Sequence, residues 1–323
     1  MTKLSIIIPH FNESKLLEKL LSSIPQTKKD IQTIVVDDTS ESTHLRIIED
    51  LKSKYKFEFY QNNIVKSAGL CRNIGIDKAK GDWLIFADGD DYFCDGFYER
   101  ITKYFDKNYE VIFFSLTSQY IDTGELADRH YSFNKKIDNF INNKSKINES
   151  LIRYDFISPW SKMIKKDFIN TYKIKFDEKC YPAEDVMLST KIGFFMKYFD
   201  VSQDVIYCRV VRKGQITRVF SEVQFDTRLN ARISRIKFLN QNLPKEDIKL
   251  LNKLFICNKS AEFLLNGLQQ FGYNKFYKIL KLYKKESIQW FRLIYLNPIK
   301  IFKYIVIRLN NYLKNYKYNI YIK

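Results

Sequence analysis

The sequence predicts an α/β fold, a mostly parallel central sheet with flanking helices, followed by a C-terminal α-helical extension. Three observations carry this reading. Short β-branched apolar runs alternate with helix-period segments through the first part of the chain, as parallel strands joined by right-handed crossovers require. A chain of 323 residues can bury a sizeable core in one large domain or two. From about Phe225 the periodicity is helical throughout, which divides the chain into residues 1–224 and a helical, basic region over 225–323.

The elements follow in order. Leu4 to Ile8 (LSIII) reads as a buried strand that Pro9 stops. Asn12 or Ser14 caps a helix with Leu16, Leu17, Leu20, Leu21 and Ile24 at helical spacing, and Pro25 closes it. Ile31 to Val36 is a second strand that opens into Asp37, Asp38, Thr39 and Ser40. A helix near 44–54, a strand near 57–60, a helix over 70–79 and a strand over 83–87 continue the alternation. Val111 to Ser115 extends the sheet, whereas residues 122–150 are polar and mixed and give no readable element. Asp185 to Phe195 reads as a helix, and Tyr207 to Thr217 as a strand with a basic turn at Arg209, Arg212 and Lys213. Helices are expected at 225–240, 245–265 and 274–296. Asn297-Pro298 then starts another, with Ile299, Phe302, Ile305, Val306, Leu309 and Leu313 on one side.

Composition removes several classes. Apolar and charged fractions of 45% and 28% are those of a globular protein, not a disordered one. The five cysteines are scattered and lack C-x-x-C spacing, which points to reduced thiols and away from a disulfide frame or zinc site. No signal peptide and no transmembrane-length apolar window are visible. The net charge of +17 is uneven: residues 273–323 hold twelve Lys or Arg against the one acid Glu286. A nucleic-acid binder would spread such residues over its main domain, so no nucleic-acid partner is expected. Basic residues opposite an apolar face describe a helix lying in an anionic membrane surface, the favoured reading, or one packed on the catalytic domain with a solvated face.

The chemistry concentrates where the apolar run Trp83 to Ala87 opens into Asp88-Gly89-Asp90-Asp91. Open α/β sheets hold ligands at the C-terminal ends of their strands. Carboxylates this close repel one another and call for a cation between them. Hard oxygen ligands suit Mg²⁺ or Mn²⁺, which also takes diphosphate oxygens and waters. A solvated acidic turn would have polar flanks, yet WLIFA precedes the cluster and YF follows it. A dinucleotide-binding fold needs glycines in its first strand–helix turn, and Pro9-His10-Phe11-Asn12-Glu13 has none. A nucleotidyltransferase would place a glycine- and arginine-rich loop there, which PHFNESK is not. On the bare residues Asp38 reads equally as a helix cap, Glu184-Asp185 as compensation for a helix dipole, and Trp160 as core. Arg72 reads as a solvated side chain, and Arg212 equally as part of a solvated basic turn or as a partner of a diphosphate.

SIIIPHFN (5–12), VVDDTS (35–40), AGLCRNIGIDKAKGDWLIFADGDD (68–91), W-S-K (160–162), PAEDVML (182–188) and YCRVVRKGQIT (207–217) together resemble family 2 inverting glycosyltransferases of the GT-A fold. The resemblance covers about residues 3–220, with Cys71 in place of the usual Ala and Gly89 a common variant. It implies a bacterial enzyme that transfers a sugar from a nucleotide donor, UDP-linked, to a glycan or lipid-linked glycan in surface polysaccharide synthesis. It further implies a cytoplasmic enzyme, peripheral on the inner face of the inner membrane. By resemblance Pro9, Phe11, Asn12, Glu13, Asp38, Arg72 and Asp88 bind the nucleotide, with Phe11 stacking on the base and Asp38 accepting the N3–H of uracil. Asp90 is the implied direct ligand of Mn²⁺ or Mg²⁺, with Asp88 on the ribose or on the metal through water, and Asp91 supporting the turn. Trp160, Lys162 and Glu184 fall on the acceptor side, Asp185 becomes the catalytic base, and Arg212 lies in a flexible loop that closes over the diphosphate.

Overall fold

The computed structural model describes residues 1–64, 66–180, 182–212 and 221–289. The chain divides into two units, residues 1–235 and 236–323. In the first, β1 (Leu4–His10), β2 (Ile31–Asp37), β3 (Glu58–Gln61) and β4 (Trp83–Phe86) run parallel in the order β3-β2-β1-β4. Ile6, Ile7, Ile8, Val35, Val36, Leu84 and Ile85 are all fully buried, and burial on both faces is why these strands appear as unbroken apolar runs. The crossovers are α1 (Ser14–Ser22), α2 (Ser42–Lys54) and α3 (Ala68–Lys78), close to the expected bounds. Ser67 caps α3, its hydroxyl accepting from the Leu70 N–H at 3.3 Å.

Two local expectations are corrected. Pro9 does not stop β1, which continues to His10 with Pro9 opposite Val36. The carbonyl of Ile7 faces β4, accepting from the Ala87 N–H, so the missing N–H of Pro9 faces the same side. The β4 ladder has already ended there at Ile7↔Phe86, and no bond is lost. Neither Asn12 nor Ser14 caps α1, which starts behind Glu13 without a side-chain cap. Asn12 adopts φ 51°, and its Oδ1 accepts from the Glu41 N–H at 2.8 Å, tying the first strand–helix turn to the second.

The other half of the sheet is mixed. β5 (Tyr92–Phe93), β6 (Val111–Tyr120), β7 (Lys162–Lys165) and β8 (Phe199–Val211) continue it as β4-β7-β6-β8-β5. β7 is antiparallel to both neighbours, while β6 and β8 are parallel. Helices α4 (Phe97–Thr102), α5 (Tyr131–Asn142), α6 (Lys146–Asp155), α7 (Lys166–Thr171) and α8 (Glu184–Phe195) complete the layer packing, and α9 spans Glu222–Asn242. Residues 122–150 therefore do carry helices. α5 buries only Ile137 and Phe140, so its polar face dominated the sequence pattern.

In the second unit α10 (Lys245–Leu251) passes through a π-helical turn, Asn252–Ile256, into α11 (Cys257–Lys285). Gly272, at φ 78° and ψ −173°, interrupts α11, a conformation open to glycine because it has no Cβ. The expected helix after Asn297-Pro298 lies outside the described residues. Among the described residues no helix is long and apolar enough to cross a membrane, and all five cysteines are free thiols.

α8 is fixed against α6 at Gly193, where an added Cβ would lie 2.0 Å from the Arg153 carbonyl oxygen. Arg153 also donates to the Gly193 and Met196 carbonyls at 2.9 and 2.7 Å. Gly193→Ala is expected to lower stability by about 1–3 kcal/mol through overpacking, read as a lower urea midpoint at unchanged slope.

Candidate functional site

The strand ends of β1, β2 and β4 open into a cleft of about 280 Å³ that Phe11, Asp38, Lys66, Arg72, Asp88 and Asp90 help to line. At the end of β2 the two aspartates separate. Asp37 is fully buried and bonds His10 Nδ1 at 2.9 Å, the Ser40 hydroxyl at 2.5 Å and the Ser40 N–H at 2.9 Å. Burial alone would raise its pKa, but those bonds outweigh it and hold the carboxyl below its usual range. Asp38 does not cap α2, whose cap position is Glu41. Its Oδ1 accepts from Asn62 Nδ2 at 2.8 Å and the Ser67 N–H at 3.0 Å, which fixes the carboxylate at the cleft wall. Phe11 stands on the rim, half-buried, with Lys66 Nζ 3.1 Å from its ring centroid. Lys66 had no signal in the sequence beyond being one lysine among many.

The turn after β4 splits its three carboxylates in the same manner. Asp91 points inward at 2% exposure, accepting from the Tyr207 hydroxyl at 2.8 Å and the Val210 N–H at 2.7 Å. Its pKa is pushed well up by burial and then by Asp90 and Asp88. Tyr207 also receives the Asp88 N–H at 2.9 Å, so β8 holds the turn through one phenol that sequence reasoning passed over. Asp88 and Asp90 remain at the cleft. Arg212 crosses its mouth, paired with Glu13 and lying 3.4 Å from Asp90. The residues after it, Lys213 to Phe220, lie outside the described ranges.

No group of three or more His, Cys, Asp or Glu that could hold a metal ion occurs among the described residues. Asp88 and Asp90 are two hard-oxygen donors on one cleft wall. That set fits a Mg²⁺ or Mn²⁺ ion that takes its other ligands from a diphosphate and water, and it does not fit an all-protein cage.

Arg72, 5% exposed, joins the two carboxylate groups: Nη2 meets Asp88 Oδ1 at 2.7 Å and Nη1 meets Glu184 Oε1 at 2.8 Å. Burial opposes its charge, but the two carboxylates prevail and raise its pKa. Neighbouring Asn73 bonds both backbone groups of Phe176 and the Glu178 carboxylate, fastening α3 to the segment before α8. Glu184 uses its second oxygen on the Ala183 N–H at 2.9 Å. Asp185, half-buried, accepts no hydrogen bond from the described residues. Burial and then Glu184 push its pKa up to about 7, with Asp88 adding and Arg72 and Lys162 opposing.

Two expected acceptor residues face inward instead. Trp160 is 6% exposed, stacked on Tyr207 at 5.9 Å and edge-on to Phe133, so its ring has no open face for a sugar. Lys162 is 1% exposed, and its Nζ donates to the Phe156 and Ser158 carbonyls and the Ser189 hydroxyl at 2.7, 2.6 and 3.0 Å. Ser189 in turn donates to the Ile157 carbonyl, so all three partners of Lys162 are acceptors and demand an ammonium. Burial lowers its pKa to about 7, with nearby Asp185 opposing. Lys162→Met should orphan three acceptors and lower stability by about 3 kcal/mol, measured by chemical denaturation. A loss confined to acceptor affinity would instead place Lys162 on the surface of the site.

Residues 5–172 match the family model described as glycosyl transferase family 2. Glycosyltransferase GlyA of Streptococcus pneumoniae is 24% identical over 262 residues, which are 76% of this chain and 36% of that protein. The GalNAc(5)-diNAcBac-PP-undecaprenol β-1,3-glucosyltransferase of Campylobacter jejuni is 33% identical over 116 residues, 35% of this chain and 38% of that one. The chain thus spans little more than a third of the length of these two relatives. The crystal structure of Staphylococcus aureus TarS 1–349 with UDP-GlcNAc superposes with a TM-score of 0.62 at 18% identity, covering 88% of this chain and 92% of that one. That likeness is one of fold, the GT-A arrangement.

Proposed function

The chain belongs to glycosyl transferase family 2, and from that premise we propose an inverting, metal-dependent enzyme that moves a sugar from a UDP-linked donor to a glycan or lipid-linked glycan of a bacterial surface polysaccharide. One observation carries the reading: the carboxylates form two sets with different environments on either side of Arg72. Asp88 and Asp90 lie at the cleft with guanidinium partners. Asp185 lacks such a bond and has its pKa raised to about 7. Carboxylates held in environments this different are the signature of divided roles. The UDP-GlcNAc bound by TarS supports the donor class, and the undecaprenol diphosphate in the name of the Campylobacter relative supports a lipid-linked acceptor.

In this account uracil stacks on Phe11 beside Lys66, and Asp38 accepts its N3–H, a proton that cytosine lacks. Asp90 and Asp88 would hold Mn²⁺ or Mg²⁺, which supplies a Lewis acid for the charge that develops on the departing UDP. Arg212 exchanges its contacts with Glu13 and Asp90 for the diphosphate, where a guanidinium pairs bidentately. Asp185 takes the proton of an acceptor hydroxyl, which then attacks the anomeric carbon from the face opposite UDP. Glu184 bonds Arg72 and the Ala183 N–H, which orients the start of α8, and it also lines the cleft. The basic tail would hold the enzyme on the cytoplasmic face of the inner membrane. The described end of α11 supports this, with Tyr273 and Tyr277 exposed at 81% and 59% beside Lys281.

Asp185→Asn should lower transfer by about 10²–10⁴-fold while Mn²⁺-dependent UDP affinity is retained, and Asp90→Asn should weaken that affinity. Because only the ionised base works and its pKa is raised, transfer should climb through about pH 7 and then level. Undiminished transfer by Asp185→Asn would remove the base assignment.

A further inference from the structure

Arg209 lies on β8 two residues beyond Tyr207, so both side chains stand on one face of the sheet. Its guanidinium is centred 5.5 Å from the ring of Trp160, the same ring that stacks on Tyr207. It is half-buried, and among the described residues no carboxylate pairs with it. The residues outside the described ranges contain no Asp or Glu side chain. A partly desolvated guanidinium in that state is poised for an external anion.

The surroundings say which side of the reaction it serves. Arg209 is the direct register partner of Ser118 on β6. The Ser118 hydroxyl donates to the Ala127 carbonyl at 2.8 Å and therefore accepts from His130 Nδ1 at 3.0 Å. His130 is thus joined to the residue that pairs with Arg209 across the sheet. Trp160 packs between Tyr207 and Arg209, and Arg209 does not line the cleft that holds Asp38, Asp88 and Asp90. The donor diphosphate already has Arg212 and the metal ligands within reach. Arg209 is left for the other substrate.

We propose that Arg209, backed by Trp160, recognises a phosphate on the acceptor, and that the acceptor is a phosphate-bearing glycan. This rests on the transferase reading above and narrows its acceptor. The phosphate has two chemical sources: the diphosphate that joins a glycan to a lipid, or the phosphodiester of a polyol-phosphate chain.

Calorimetric titration of the full chain, with and without UDP and Mn²⁺, uses decyl diphosphate as one probe and a glycerol-phosphate dimer as the other. At least one should saturate the wild type, and Arg209→Gln should weaken it by on the order of tenfold to a hundredfold, as for a lost charge-assisted bond. UDP affinity should not change in that variant. Arg209→Lys should show a smaller loss, because an ammonium keeps the charge without the planar fork. Binding of decyl diphosphate alone assigns the lipid-linked source, and binding of the dimer alone assigns the polymer. If neither anion saturates the wild type, or if Arg209→Gln binds as tightly, the inference is overturned. Absence of UDP binding to the wild type would contradict the transferase reading instead, and the arm without UDP still reads Arg209.

Discussion

Arg72 carries a positive charge in the interior, and two carboxylates from distant parts of the chain hold it there. Asp88 comes from the turn after β4 and Glu184 from the first residue of α8. Removing one partner of such a buried pair typically costs about 3–5 kcal/mol, because the others stay behind uncompensated. The pairing also sets the chemistry of the cleft. It draws Glu184 fully into the scaffold, while the adjacent Asp185 receives only the more distant influence of Arg72 and has its pKa raised to about 7 by burial and by Glu184. Two neighbouring acids thus come to stand in different environments, one set by its hydrogen-bond partners and the other by burial.

A second chain of contacts fixes the same turn from the other side. Asp91 is buried against Tyr207 and Val210 of β8, Tyr207 receives the Asp88 N–H, and Trp160 stacks on Tyr207. Lys162, two residues on, ties down the 156–158 backbone and Ser189 of α8. The acidic turn and the middle of α8 are therefore also held by side chains that do not line the cleft. Such support would keep reacting groups within the narrow tolerance that the proposed displacement requires.

Much of this was legible in the sequence, and the reasons are physical. Strands buried on both faces leave unbroken apolar runs, so β1, β2 and β4 were visible, and glycine-free PHFNE excluded a dinucleotide fold. β5 and β7 span Tyr92–Phe93 and Lys162–Lys165, too short for any periodicity. Pro9 was misread because strand order, unknown from sequence, decides whether a missing N–H matters. The family resemblance placed Trp160 and Lys162 on the acceptor side, but both lie inside. A lysine that finds three acceptors in the interior has the same letter as one in solvent. Lys66 and Tyr207 gave no pattern, since their importance comes from which distant residues they meet.

The most direct test of the central claim is to incubate the protein with Mn²⁺ and a panel of UDP-, GDP- and CMP-linked sugars and identify the released nucleotide. The proposed reading predicts UDP release from one or more UDP-sugars, lost on chelation of the metal and absent with CMP-sugars, because cytosine lacks the N3–H that Asp38 would accept. Release of pyrophosphate, or equal turnover of GDP- and CMP-sugars, would contradict it.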